Sequence, residues 1–125
     1  MDRRHSSRIK IIQNLFAYEF VKDMVSLPYP EDKIVFEIIK KIDEIDQLIQ
    51  KYAPRFPLEK IAKIDLVILR WAIFELTIEK KLPYKVVINE AVELAKEMAG
   101  SRSFAFINGV LGSLINDLLE KKIYV

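Results

Sequence analysis

The chain contains no cysteine, which excludes a disulfide framework, a thiolate metal site and a cysteine nucleophile. Its single histidine, His5, sits in a polar N-terminal stretch, which leaves little material for a His-rich metal site or a Ser-His-Asp triad. Glycine is almost as scarce: Gly100, Gly109 and Gly112 are the only three, too few for a G-x-G-x-x-G turn or a Walker loop. No apolar run approaches the roughly 20 residues of a membrane span, and no apolar signal core follows Met1-Asp2-Arg3-Arg4-His5-Ser6-Ser7. Neither charge sign dominates: 20 Lys and Arg against 18 Asp and Glu leave a net +2, so any nucleic-acid site must be a local patch. These absences predict a soluble, cytoplasmic protein with no catalytic machinery and no cofactor. What is abundant is apolar mass, 51% of 125 residues, enough for a core and too much for disorder. No repeat, low-complexity stretch or linker divides the chain, and residues 1–125 read as one domain.

All five prolines lie between Pro28 and Pro83, and the segments they mark off each read at helical period. The fold class expected is all-α, with five main helices plus short pieces. The first helix spans about Ser7 to Lys22, with Ser6 or Ser7 as N-cap and a stripe of Ile9, Ile12, Phe16 and Phe20 widened by Ile11, Leu15 and Tyr18. After Leu27-Pro28-Tyr29-Pro30, one long amphipathic helix is expected from near Glu31 through Ile34, Ile38, Ile42, Ile45 and Ile49 to Tyr52. Glu37 and Lys41 stand i,i+4 on its wet side. A short piece over Leu58–Lys63 precedes Asp65–Leu76, which is apolar nearly all round and so marks a central helix contacted from several sides. Pro83 breaks it. Tyr84–Ala99 follows, buried through Val87, Ile88, Ala91, Leu94, Ala95 and Met98, with Gly100 as its C′ residue. Ser103 then caps a last helix carrying Phe104, Ile107, Leu111, Leu114, Ile115 and Leu118.

One cluster points to a ligand. Arg3, Arg4, His5, Arg8 and Lys10 face only Asp2, and Arg4 and Arg8 share a face if the preceding residues are helical. Guanidinium forks donate paired hydrogen bonds to phosphate and stack on exposed bases. A solvated basic terminus explains the same residues equally well. The acidic groups Asp43, Glu44, Asp46 and Glu90, Glu93, Glu97 read as solvated helix faces rather than acid-base pairs, since catalysis needs convergence in a pocket.

The string Pro83-Tyr84-Lys85-Val86-Val87-Ile88-Asn89-Glu90-Ala91-Val92-Glu93-Leu94-Ala95-Lys96 strongly resembles the NusB family. So does Phe106-Ile107-Asn108-Gly109-Val110-Leu111. Ile64-Asp65, Ile68-Leu69-Arg70 and Phe74-Glu75-Leu76 are similar to that family's central helix. Arg3-Arg4 and Arg8, ahead of Gln13-Asn14-Leu15-Phe16, are similar to its arginine-rich start. The resemblance covers nearly the whole chain and implies two small helical bundles packed across each other. It also implies transcription antitermination: a protein that pairs with NusE, a ribosomal small-subunit protein, and binds boxA-type single-stranded RNA. The pair then joins other Nus factors and RNA polymerase; self-association into a homodimer occurs in some members.

Carried over residue by residue, the RNA-binding set is Arg3, Arg4, Arg8, Lys10 and Phe16, the last standing where the family commonly has Tyr. Core packing is the competing account of Phe16. Asp65 matches an acidic position near the NusE-facing surface, or caps the central helix. Asn89-Glu90 and Asn108-Gly109 read as structural, Gly109 allowing close helix approach and Asn108 bonding a neighbouring backbone. Ser6, Ser7, Leu66 and Phe56 depart from the pattern, and Ala105 stands where lysine is common. Arg102, i,i+3 from it, is expected to supply the missing phosphate contact. Two alternatives stay open: a helical adaptor that contacts protein only, and the RNA-binding front of a ribosomal RNA methyltransferase.

Overall fold

A computed structural model describes residues 3–121. Among them, six α-helices, one 3₁₀ turn and one π turn follow in order, with no strand: α1 Arg3–Val21, α2 Lys33–Lys40, α3 Ile42–Tyr52, the 3₁₀ turn Leu58–Lys60, α4 Lys63–Phe74, the π turn Glu75–Glu79, α5 Tyr84–Met98 and α6 Ser101–Glu120. The all-α expectation holds, and α4 is the shared member. It packs against α1, α2 and α3 and also against α5 and α6. Every residue from Asp65 to Phe74 is buried, as its all-round apolar sequence demands. The core is one continuous cluster running from Ile12 and Leu15 through Trp71 and Phe74 to Leu111 and Leu114.

Several boundaries differ from expectation, each for a tertiary reason. α1 is already helical at Arg3, so Ser6 and Ser7 are interior residues and not caps. Phe20, placed on the apolar stripe, is 61% exposed; Ile11, Ile12 and Leu15 carry the burial instead. α1 ends where Lys22 turns left-handed (φ 59°), and the loop behind it is tied back by Asn14. The Asn14 amide donates to the Tyr29 carbonyl and accepts from the Tyr29 N–H, both at 2.8 Å, although Asn14 is fully buried.

The single helix expected over 31–52 is two. Asp32 caps α2 by accepting from the Ile34 N–H, and the chain breaks at Lys41 with no glycine or proline to announce it. The break lets α2 lie on α1 while α3 reaches α6, both still touching α4. Lys41 accordingly pairs with Glu44 at 3.5 Å instead of supporting Glu37.

Ala62 and not Asp65 is the N-cap of α4, and Gly100 rather than Ser103 that of α6. Gly100 has φ 142°, a region that a Cβ makes costly; its N–H also closes α5 on the Ala95 carbonyl at 2.9 Å. Gly109 does not mediate close approach: a Cβ there would meet nothing within 4 Å, and Asn108 is exposed.

Of the carboxylates read as solvated, Asp43, Glu44, Glu93 and Glu97 are exposed, whereas Asp46 and Glu90 are part-buried. Arg70, 6% exposed on α4, is held by Asp46 through two hydrogen bonds of 2.9 Å and by Glu19 at 2.5 Å. The three bind α1, α3 and α4 together.

Candidate nucleic-acid interface

The first turns of α1 carry the arginines. Arg3 and Arg4 are exposed, and because the helix already runs through them, Arg4 and Arg8 do share a face. Arg8 is not a solvated cation. Its side chain is 13% exposed, lies 3.7 Å from the Glu90 carboxylate and sits over the Trp71 ring at 5.9 Å. His5, in a stretch that the sequence shows only as polar, is held against α5, one ring nitrogen on Glu90 and the other on Glu97. Lys10 is exposed and lies 5.3 Å above the Tyr29 ring.

Further along α1, Phe16 is half-buried and meets Phe20 edge-on at 5.0 Å. The two line an apolar groove of about 660 Å³ with Gln13, Pro28, Ile64 and Met98, and Lys63 stands at it. Phe16 therefore both packs and presents ring surface, so neither account of it excludes the other. Arg8 lies eight residues before Phe16, about 12 Å along the helix.

The start of α4 joins this groove to a second, smaller pocket. Lys63 and Ile64 line the first; Asp65 lines the second, about 220 Å³, beside Lys60, Arg102, Ser103 and the Phe56–Phe106 pair. Arg102 is exposed. Asp65 is 8% exposed, and its Oδ1 has no hydrogen-bond partner. Burial pushes this carboxyl above its ordinary value, and a hydrogen bond with the Ser103 hydroxyl offsets only part of that. A buried carboxylate oxygen lacking a donor is costly in isolation, and a basic partner would satisfy it. Phe16, Asp65 and Arg102 thus gather around one helix terminus, while Arg3 and Arg4 stand at the far end of α1.

Sequence reasoning missed His5, Asn14 and Glu90 as contact residues. An i,i+7 pair of glutamates on α5 was the available signal for His5, but which helix faces them is a tertiary matter. Among the described residues no group of His, Asp and Glu could hold a metal ion, and no helix is long and apolar enough to cross a membrane.

The NusB family model matches residues 31–116. The transcription antitermination protein NusB of Bacillus pumilus is 30% identical over 131 residues, covering 95% of this chain and 99% of that protein. Its counterpart in Clostridium acetobutylicum is 43% identical over 90 residues, 72% of this chain and 67% of the relative. The Acetivibrio thermocellus protein is 45% identical over 82 residues, and there the match spans only 57% of the relative's length. Among solved structures, T. maritima NusB superposes with a TM-score of 0.79 at 29% identity, covering 90% of this chain and 89% of that one. A chain from the crystal structure of antitermination factors NusB and NusE in complex with dsRNA shares the fold, with a TM-score of 0.78 at 21% identity over 94% and 99% of the two chains. On the extent of these matches, and with the fold shared with T. maritima NusB, the chain belongs to the NusB family.

Proposed function

We propose that this chain is a transcription antitermination protein that pairs with NusE and holds boxA-type single-stranded RNA. RNA polymerase, joined by other Nus factors, then reads through terminators in ribosomal RNA operons. The near full-length match to the Bacillus pumilus protein carries the reading. In this account residues 1–125 act as one cytoplasmic domain, with no reaction catalysed and no cofactor. Arg3, Arg4, Lys10 and Arg102 hold phosphates, Phe16 offers a ring to an unstacked base, and Asp65 receives a basic group of NusE. Arg8 contributes in proportion to how far phosphate displaces Glu90.

Size-exclusion chromatography of the chain with NusE and a boxA oligonucleotide tests this: a ternary complex is expected. A salt titration of the RNA complex tests the phosphate roles. About four neutralised phosphates should give a slope of log K against log salt near −3. Internal pairing of His5 and Arg8 favours the adaptor reading to that extent. That reading wins if NusE binds and RNA does not, or if RNA affinity ignores salt.

A further inference from the structure

The start of α1 is locally unfavourable as a helix. Its first turn holds no acidic residue and two arginines, cations at the positive end of the helix dipole. What holds it lies on another helix. His5 Nε2 is 2.8 Å from a Glu97 carboxylate oxygen, and Nδ1 bonds Glu90. The other Glu90 oxygen faces Arg8 at 3.7 Å. The His5 side chain is 14% exposed and that of Glu90 17%.

We propose that His5, gripped between Glu90 and Glu97, is a positioning residue that latches the arginine-bearing first turns of α1 onto α5, and that the latch closes with the ring cationic. A neutral imidazole has one N–H; two carboxylates served at once require both nitrogens to donate. Loss of the ring proton leaves one glutamate without a donor beside a second negative charge. The groups facing His5 are Glu90 and Glu97 from α5, and Arg8, one turn on along its own helix, shares Glu90 with it. Glu75 of the π turn acts through Arg8, which lowers it against a rise set by burial and Glu79. Hydrogen bonds to Glu97 and Glu90 raise His5 above 6.5. The latch is therefore closed below 6.5 and opens as pH climbs through that raised value. Opening frays the turn that places Arg4 and Arg8 on one face.

The role of the latch in RNA binding rests on the antitermination reading; the latch itself does not. Amide exchange at Ser7, Arg8 and Ile9 should be measured at about pH 6 and at a pH where the His5 ring resonances show the proton lost, in wild type, His5→Ala and His5→Arg. After correction for intrinsic exchange, wild-type protection should fall roughly five-fold across that step. His5→Ala should be unprotected at both values, and His5→Arg protected at both. Affinity for a boxA oligonucleotide should follow the same order. Flat wild-type protection, or His5→Ala matching wild type, overturns the latch; an exchange step without an affinity step overturns its role in positioning. A wild type that binds no RNA at either pH defeats the antitermination reading, while exchange still decides the latch.

Discussion

Single buried polar residues decide much of this fold. Asn14 satisfies both backbone groups of Tyr29, so truncation orphans a donor and an acceptor together. Asn14→Ala should cost about 2 kcal/mol in urea unfolding. Arg70 is costlier to lose. Burial opposes its charge, yet Asp46 and Glu19 raise it above the ordinary arginine value. Arg70→Met strands two carboxylates and should cost about 3–5 kcal/mol. Adding Glu19→Gln and Asp46→Asn should recover most of that loss, because a buried ion pair is replaceable by neutral packing. Equal stability of the single and triple variants would show that the pair does not act as a unit.

At the scale of elements, the helices are set by which neighbour they must reach. The division at Lys41 sends α2 to α1 and α3 to α6. The π turn after α4 is closed by the Lys80 N–H on the Glu75 carbonyl at 2.9 Å, with Lys80 left-handed; the Thr77 hydroxyl bonds back to the Ile73 carbonyl at 2.7 Å. α6 holds a glycine that its own packing does not require. Gly109 is exposed with open space around it, and mid-helix glycine costs about 1 kcal/mol against alanine. Gly109→Ala should therefore stabilise the isolated chain by up to about 1 kcal/mol, read as a higher thermal midpoint. A lower midpoint would mean that the α6 surface is less open than described.

For the whole molecule, charge placement rather than net charge matters, and it ties stability to pH. Burial alone would raise Glu19, but the Arg70 hydrogen bond and charge hold it below its ordinary value. That contribution is present above about pH 4.5 and is lost only as pH falls through the lowered value. Asp65 and Glu75 run the other way: burial raises both, so their ionisation penalises the fold as pH rises. His5, raised by its glutamates, also favours the acid side. Stability should accordingly decline as pH climbs through the raised values of Asp65, Glu75 and His5, and His5→Ala with Asp65→Asn should flatten the decline. Asp65→Asn alone should stabilise the chain at neutral pH while weakening NusE binding, the exchange expected where a site carries a strained group. Arg102→Ala should leave stability unchanged and lower the RNA salt slope by about one unit. An unchanged slope would remove Arg102 from the phosphate contacts.

Periodicity and punctuation by themselves determined the all-α class, the central place of α4, and most of the α5 and α6 core: Val87, Ala91, Leu94, Ala95, Ile107, Leu111, Leu114 and Ile115 are buried as read, while Ile88, Met98 and Phe104 are half-buried and Val110 joins the core unread. Apolar spacing is a local property, so one strand of sequence carries it. The same spacing misplaced Phe20, and it ran α2 and α3 together because nothing local marks Lys41. The site was legible as residue types, in the arginines, Phe16 and Asp65. Their states were not. Whether an arginine meets solvent or a glutamate, whether His5 is solvated or docked, and whether Asp65 caps a helix or lies buried with one oxygen unpartnered all depend on residues far along the chain. Hydrophobic pattern is written within a helix; charge partnership is written between helices, and only their packing brings the partners within reach.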